Sequence, residues 1–144
     1  MSFEDPRRVL GRYGLRAKKS WGQNFLHDRR VHERIVAAAA AGADDVVVEI
    51  GAGLGTLTAA LARAEPPPRR VIAVEREPDM LRVLEAELGG EARVAVVARD
   101  AATLDFRAEA AAAGRPVIVV GNLPYQIATP LTLAIVEALS LIHI

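Results

Sequence analysis

Along the chain, polar stretches give way to short runs in which nearly every position is apolar and β-branched. These are Val46-Val47-Val48-Glu49-Ile50, Val71-Ile72-Ala73-Val74-Glu75, Val94-Ala95-Val96-Val97 and Val117-Ile118-Val119-Val120. Continuous rather than alternating apolar character is what a strand covered on both faces requires, so four buried strands are expected. Between them the spacing turns helical, predicting helices over 56–64, 78–88, 105–113 and 130–139. The second is the clearest, through Met80, Leu81, Leu84 and Leu88. Pro78 and Pro130 suit first-turn positions and Gly89 suits a stop. Ahead of the first strand, Asp28 can cap a helix through Val31, Ile35 and the alanines of 37–41, ended by Gly42.

Strand and helix alternating in this way predict a doubly wound α/β fold, a parallel sheet with helices on both faces joined by right-handed crossovers. The 144 residues, 51% of them hydrophobic, supply apolar material for one compact domain. Formal net charge is zero, but it is unevenly spread. Residues 1–30 carry eight cations (Arg7, Arg8, Arg12, Arg16, Lys18, Lys19, Arg29, Arg30) against Glu4, Asp5 and Asp28, a net +5 that leaves the remainder at −5. A basic arm on an acidic body fits contact with a polyanion; a solvated tail gives the same count.

Without cysteine there is neither a disulfide framework nor a thiolate metal site, and His27, His32 and His143 are too scattered for a ligand cluster, so no metal is expected. No signal-peptide core and no apolar run near ~18 residues is present, which makes a soluble cytoplasmic protein, with no membrane partner, the expectation.

The densest chemical signal is Glu49-Ile50-Gly51-Ala52-Gly53-Leu54-Gly55-Thr56, where the first strand gives way to a helix. Glycine lets a backbone turn tightly and approach a ligand. Gly-x-Gly-x-x-Gly would favour a dinucleotide, with its pyrophosphate at the helix N-terminus. Here the spacing is Gly-x-Gly-x-Gly and an acid precedes it, which suits a cationic ligand better. S-adenosylmethionine, with its sulfonium and ammonium, meets that description, while the loop alone leaves a nicotinamide cofactor open. Glu75, at the end of the second strand, can accept both ribose hydroxyls of an adenosine and fits either cofactor. Asp100, just past the third strand, can accept from the exocyclic amine of the cofactor's adenine; its alternative is a helix or turn cap.

The fourth strand runs into Gly121-Asn122-Leu123-Pro124-Tyr125, at the sheet edge where open α/β folds bind ligands. An exocyclic adenine amine is a poor nucleophile because its lone pair is delocalised into the ring. An enzyme must therefore hold that nitrogen in line and favour its pyramidal form. The Asn122 side-chain oxygen and a backbone carbonyl at or before Pro124 can accept from its N–H groups, proline fixes the loop, and Tyr125 offers a stacking face. Catalysis by positioning rather than by a strong base follows. Asn and Pro would also be explained by a simple strand-ending turn.

Taken with Lys18-Lys19-Ser20-Trp21-Gly22-Gln23-Asn24-Phe25-Leu26-His27-Asp28, these motifs resemble the KsgA-type small-subunit ribosomal RNA adenine dimethyltransferases, over residues 10–139. The resemblance implies a Rossmann-like methyltransferase fold with S-adenosylmethionine as cofactor. It implies donor contacts from Asn24, Leu26, Gly51, Glu75, Asp100 and Asn122, and handling of the acceptor adenine by Asn122, Pro124 and Tyr125. It further implies dimethylation of N6 on two adjacent adenines in a 3′-terminal hairpin loop of small-subunit RNA, in the immature small ribosomal subunit, as a step in ribosome biogenesis. A looped-out adenine costs less to present than one in a duplex. Trp21 stands where the signature usually has a smaller aliphatic residue, and nothing in the sequence explains it.

The expected organisation is a basic arm with the cofactor-closing motif at 1–27, a methyltransferase domain at 28–139, and a non-native tail at 140–144, Ser140-Leu141-Ile142-His143-Ile144, unlike the family's sequence. Family members continue further, so the chain reads as truncated, and strand 117–120 is expected to become an uncovered edge. Three other readings stay in view. They are a macrolide-resistance type of large-subunit rRNA methyltransferase, a non-catalytic RNA-binding assembly factor, and a nicotinamide-dependent oxidoreductase.

Overall fold

The computed structural model describes residues 4–16, 28–121 and 142–143. Five strands, β1 (Val46–Ile50), β2 (Arg70–Glu75), β3 (Val94–Ala98), β4 (Val117–Gly121) and β5 (Ile142–His143), form one sheet in the order β3-β2-β1-β4-β5. Every pairing is parallel. The order turns back at β1, so the switch point of the doubly wound topology lies between the carboxyl ends of β1 and β4.

Strand alternation divides the core into two faces. Val46, Val48 and Ile50 of β1 join Ile72, Val74, Val117 and Val119 beneath Leu104 and Phe106. The last of these opens α5 (Phe106–Ala113), capped by the Asp105 carboxylate, which accepts from the Ala108 N–H. Val47, Val71 and Ile118 face the other way, onto Leu57, Leu61 and Ala62 of α3 (Thr56–Ala62) and the apolar side of α2 (Arg29–Ala39). Further along the same face, Ala73 packs with Leu84 and Leu88 of α4 (Pro78–Leu88). Valine and isoleucine fill the strand centres, and Val47, Val48, Val71, Val74 and Val117 are fully buried.

The expected helix at 78–88 forms with those bounds, Pro78 in its first turn and Gly89 closing it. The others differ at their ends. α2 stops at Ala40, which takes a left-handed conformation (φ 47°), rather than at Gly42. α3 ends at Ala62, two residues early, and α5 begins one residue after Asp105, which serves as its cap. β3 is only half-buried, not enclosed like β1 and β2, because it is the edge of the sheet. The predicted helix over 130–139 lies outside the described residues.

The basic arm holds an element the apolar spacing did not reveal. Residues Pro6–Arg12 form a helix, α1, started by Asp5, whose carboxylate accepts from the Arg7 N–H, and by Pro6 in the first turn. Val9 and Leu10 are buried against Leu54, Met80 and Val83. Glu87 of α4 accepts from Arg12 Nη2 and from the Tyr13 hydroxyl, both at 2.8 Å, while Arg82 reaches the Tyr13 carbonyl. Arg12 also pairs with Glu4. Pro6, Val9 and Leu10, the three buried residues in seven, give little helical periodicity, and partners more than 40 residues away fix this segment. The expected uncovered edge at 117–120 is corrected at its start, where Ile142 and His143 pair with Val117 and Ile118.

Candidate functional site

Four strand ends meet at one level. In register, Ile50 is opposite both Val74 and Gly121, and Glu75 is opposite Ala98. Gly51, Glu75 and, two residues past β3, Asp100 therefore stand along a single carboxyl edge, with Gly121 completing it beside the switch point. Asn24, Leu26, Asn122, Pro124 and Tyr125, which carry the cofactor-closing and acceptor motifs, lie outside the described residues.

The glycine loop is shaped by what its amides do. Gly51 and Ala52 both donate to the Val74 carbonyl, at 2.9 and 3.0 Å, and Gly53 donates to Glu75 Oε2 at 2.8 Å. Gly51, Gly53 and Gly55 all have positive φ (67°, 58° and 87°), which only glycine adopts without strain. Gly55 meets a second constraint: a Cβ there would lie 2.7 Å from Leu84 Cδ1 and Leu88 Cδ1. The loop is thus bound to the end of β2. The N–H groups that a nucleotide phosphate would use are already engaged.

Glu75 is 8% exposed and holds this arrangement. Its Oε1 accepts from the Arg76 and Glu77 amides at 2.7 and 3.0 Å, and its Oε2 from Gly53. A carboxylate has about four acceptor sites, so three fixed N–H donors aim the group and leave capacity for a further hydroxyl donor. Asp100 takes the role of a cap, Oδ1 accepting from the Ala102 N–H at 3.0 Å to start a 3-10 turn (Ala101–Thr103). Its Oδ2 lies 3.3 Å from Arg76 Nη1, and the side chain is 42% exposed. The turn-cap alternative is therefore realised, and the second oxygen is the one paired with Arg76.

Glu49 departs from the sequence reading in its charge. It was expected to offer a carboxylate beside the loop, but it is 2% exposed, lying between Ala73 and Val120 in the sheet. Burial pushes its carboxyl up to about 8; a hydrogen bond from Thr58 opposes this and the Glu75 charge adds to it. Burial thus favours the protonated acid in the donor-free chain. The Thr58 hydroxyl donates to Glu49 Oε2 at 2.5 Å, joining β1 to the first turn of α3 across the loop. Thr58 and Arg76 are the two site neighbours the sequence reading missed. A hydroxyl at the third position of the helix after the loop was the available signal for Thr58; nothing local marks Arg76.

Among the described residues, no group of three or more His, Cys, Asp or Glu side chains is placed to hold a metal ion, and no helix is long and apolar enough to cross a membrane.

Comparison with known proteins agrees with this frame. Residues 14–143 match the family model for ribosomal RNA adenine dimethylase. A protein named ribosomal RNA small subunit methyltransferase A from Anaeromyxobacter sp. (strain K) is 49% identical, covering 94% of this chain and 49% of its own length. Its namesake from Myxococcus xanthus (strain DK1622) is 50% identical over 94% of this chain and 45% of its own length. This chain thus spans about half the length of these relatives. Among solved structures, the 23S rRNA methyltransferase ErmE superimposes with a TM-score of 0.71 at 32% identity, over 83% of this chain and 45% of ErmE. A Salinibacter ruber RNA methyltransferase in complex with S-adenosyl-L-homocysteine shares the fold, at a TM-score of 0.64 and 19% identity over 83% of this chain and 72% of its own. With the match extending over most of its length, this chain belongs to the ribosomal RNA adenine dimethylase family.

Proposed function

We propose that this chain carries the methyl-donor site of an enzyme that methylates N6 of two adjacent adenines in a 3′-terminal hairpin loop of small-subunit ribosomal RNA, using S-adenosylmethionine. The observation that carries the donor half is the engaged loop. With the Gly51, Ala52 and Gly53 amides turned onto Val74 and Glu75, the site offers carboxyl groups rather than phosphate-binding N–H groups. That donor set fits a cationic adenosine derivative and disfavours a dinucleotide. When bound, S-adenosylmethionine supplies a methyl group activated on a sulfonium.

The chain's own groups then divide the work. Glu75, fixed by three amides, accepts from a ribose hydroxyl, and Asp100 Oδ2 accepts from the adenine amine of the donor. Gly51 lets the backbone come close, and Asn24, Leu26 and Asn122 complete the donor contacts. Asn122, with the carbonyl at or before Pro124, accepts from the target amine and holds it in line, while Tyr125 stacks on the base. In domain terms, residues 28–139 carry the fold and 1–27 the closing motif. The enzyme acts in the cytoplasm, on the immature small subunit.

Calorimetric titration of the chain with S-adenosylmethionine, with NAD and an Asp100→Ala variant as controls, tests the donor half. Saturable binding that the variant weakens supports it, and a folded chain that ignores the donor overturns it. The ErmE likeness favours a second reading, action on large-subunit RNA. Mapping methylated adenines after incubation of the enzyme with small- and large-subunit RNA separates the two, and the names of the longer relatives favour the small subunit.

A further inference from the structure

Among the described residues, Glu49 is the one buried carboxyl group of the sheet edge that the proposed chemistry does not use. It occupies the last inward position of β1 before the glycine loop, on the face covered by α2, α3 and α4. Its surroundings can be taken element by element. Across the sheet its register partners are Ala73 and Val120. From α3 comes the Thr58 hydroxyl, and α4 presents Leu84 and Leu88 to this face. The titratable residue buried on α2 is His32, whose Nδ1 lies 3.3 Å from the Asp28 carbonyl. Glu75, at the end of β2, is the charged group acting on Glu49, and it is of like sign. Among the described residues, no cation offsets a charge there.

A carboxyl group in such a place stays protonated until a positive charge arrives. We infer that Glu49 is a positioning residue of the donor site whose carboxyl proton is lost when a cationic ligand settles at the glycine loop, so that donor binding and proton release are coupled. The carboxyl O–H bond breaks, the proton passes to solvent, and the carboxylate that remains, still receiving the Thr58 hydroxyl, faces the new cation. The inference rests on the methyl-donor reading above and adds to it a charge that the protein supplies only on demand.

The size of the coupling follows from Coulomb's law. One positive charge within about 6 Å, at an effective dielectric near 20, favours the ionised form roughly a hundredfold. Starting from a carboxyl that burial holds up to about 8, the proton occupancy at pH 7 drops from nearly full to about one-tenth. Donor binding should then release about 0.8 proton at pH 7, and close to none at pH 5 or above pH 9.5, where the group keeps or has already lost its proton.

Calorimetry of S-adenosylmethionine binding in buffers of different ionisation enthalpy counts the released protons. The expected result is about 0.8 for the native chain at pH 7, a smaller number for S-adenosylhomocysteine, which lacks the sulfonium charge, and near zero for a Glu49→Gln variant that still binds. Binding with no buffer dependence, or equal release from the variant, overturns the coupling while leaving the donor reading intact. A chain that binds no donor overturns both. Independently of any ligand, carbon-13 NMR of labelled glutamate carboxyls, assigned by the same variant, should show Glu49 titrating far above the others; titration in the ordinary carboxylate range refutes the proposal.

Discussion

Replacing Gly55 with alanine should destabilise the chain by about 2–5 kcal/mol, and the two causes can be separated. Gly55 has φ 87° and ψ 11°, a left-handed conformation that costs an L-residue roughly 1–2 kcal/mol. Its added Cβ would also sit 2.7 Å from the ends of Leu84 and Leu88, which are 0% and 1% exposed and have nowhere to retreat. Such overpacking adds about 1–3 kcal/mol. Gly114 is the matched control: its φ is 71°, it ends α5, and a Cβ there meets nothing within 4 Å. Gly114→Ala should therefore cost only the first component. Urea unfolding followed by circular dichroism reads both, and with m near 1–3 kcal/mol/M the midpoints should differ by about 1 M. A Gly55→Ala, Leu88→Ala double variant should show favourable coupling of about 0.5–3 kcal/mol, since the truncated leucine makes room. Equal losses from the two single alanines, with no coupling in the double variant, would mean that Leu84 and Leu88 yield freely and that the packing argument is wrong.

Other outcomes follow from the same geometry. Leu84→Ala, at a fully buried position between α4 and β2, should cost about 2–5 kcal/mol in the same unfolding assay. Stability should fall with rising pH between about 4.5 and 8, by up to about 1.4 kcal/mol per pH unit from Glu49, because the folded chain holds a proton there that the unfolded chain has released. Glu49→Gln should flatten that slope. Glu87, whose carboxyl Arg12 and Tyr13 hold below the usual range, contributes stability above its unfolded value that is lost only as pH falls further, outside that window. Asn122→Ala should abolish methyl transfer to RNA while leaving donor affinity within a few-fold, measured by product analysis beside calorimetry; full transfer by the variant would remove Asn122 from the catalytic assignment.

The strands and the glycine loop were readable because their signals are local. Unbroken valine and isoleucine runs demand burial on both faces, and glycines at 51, 53 and 55 sit where positive φ is required. What escaped depends on distant partners. α1 is held by Leu54, Met80, Val83 and Glu87, none within 40 residues of it, so its seven-residue pattern carried no sign of burial. The edge position of β3 is a property of strand order, which the apolar run Val94–Val97 cannot express. The charge of Glu49 was misjudged for a related reason: sequence gives the residue type, whereas its protonation is set by how completely α3 and the neighbouring strands exclude water. Of the two roles open to Asp100, the fold displays the cap, which a local Asp-to-amide contact two residues on makes legible in sequence.

The way the loop amides are engaged has a consequence for anyone moving this site elsewhere. Of the three amides it turns onto β2, two end on the Val74 carbonyl and the third on the Glu75 side chain, so the loop's shape is written jointly by two strands. Residues 49–56 grafted alone onto another sheet would carry the spelling without the form. The smallest portable unit is the loop together with the last two residues of its neighbour, and a ligand meets it as a finished shelf rather than a flap that must fold around it.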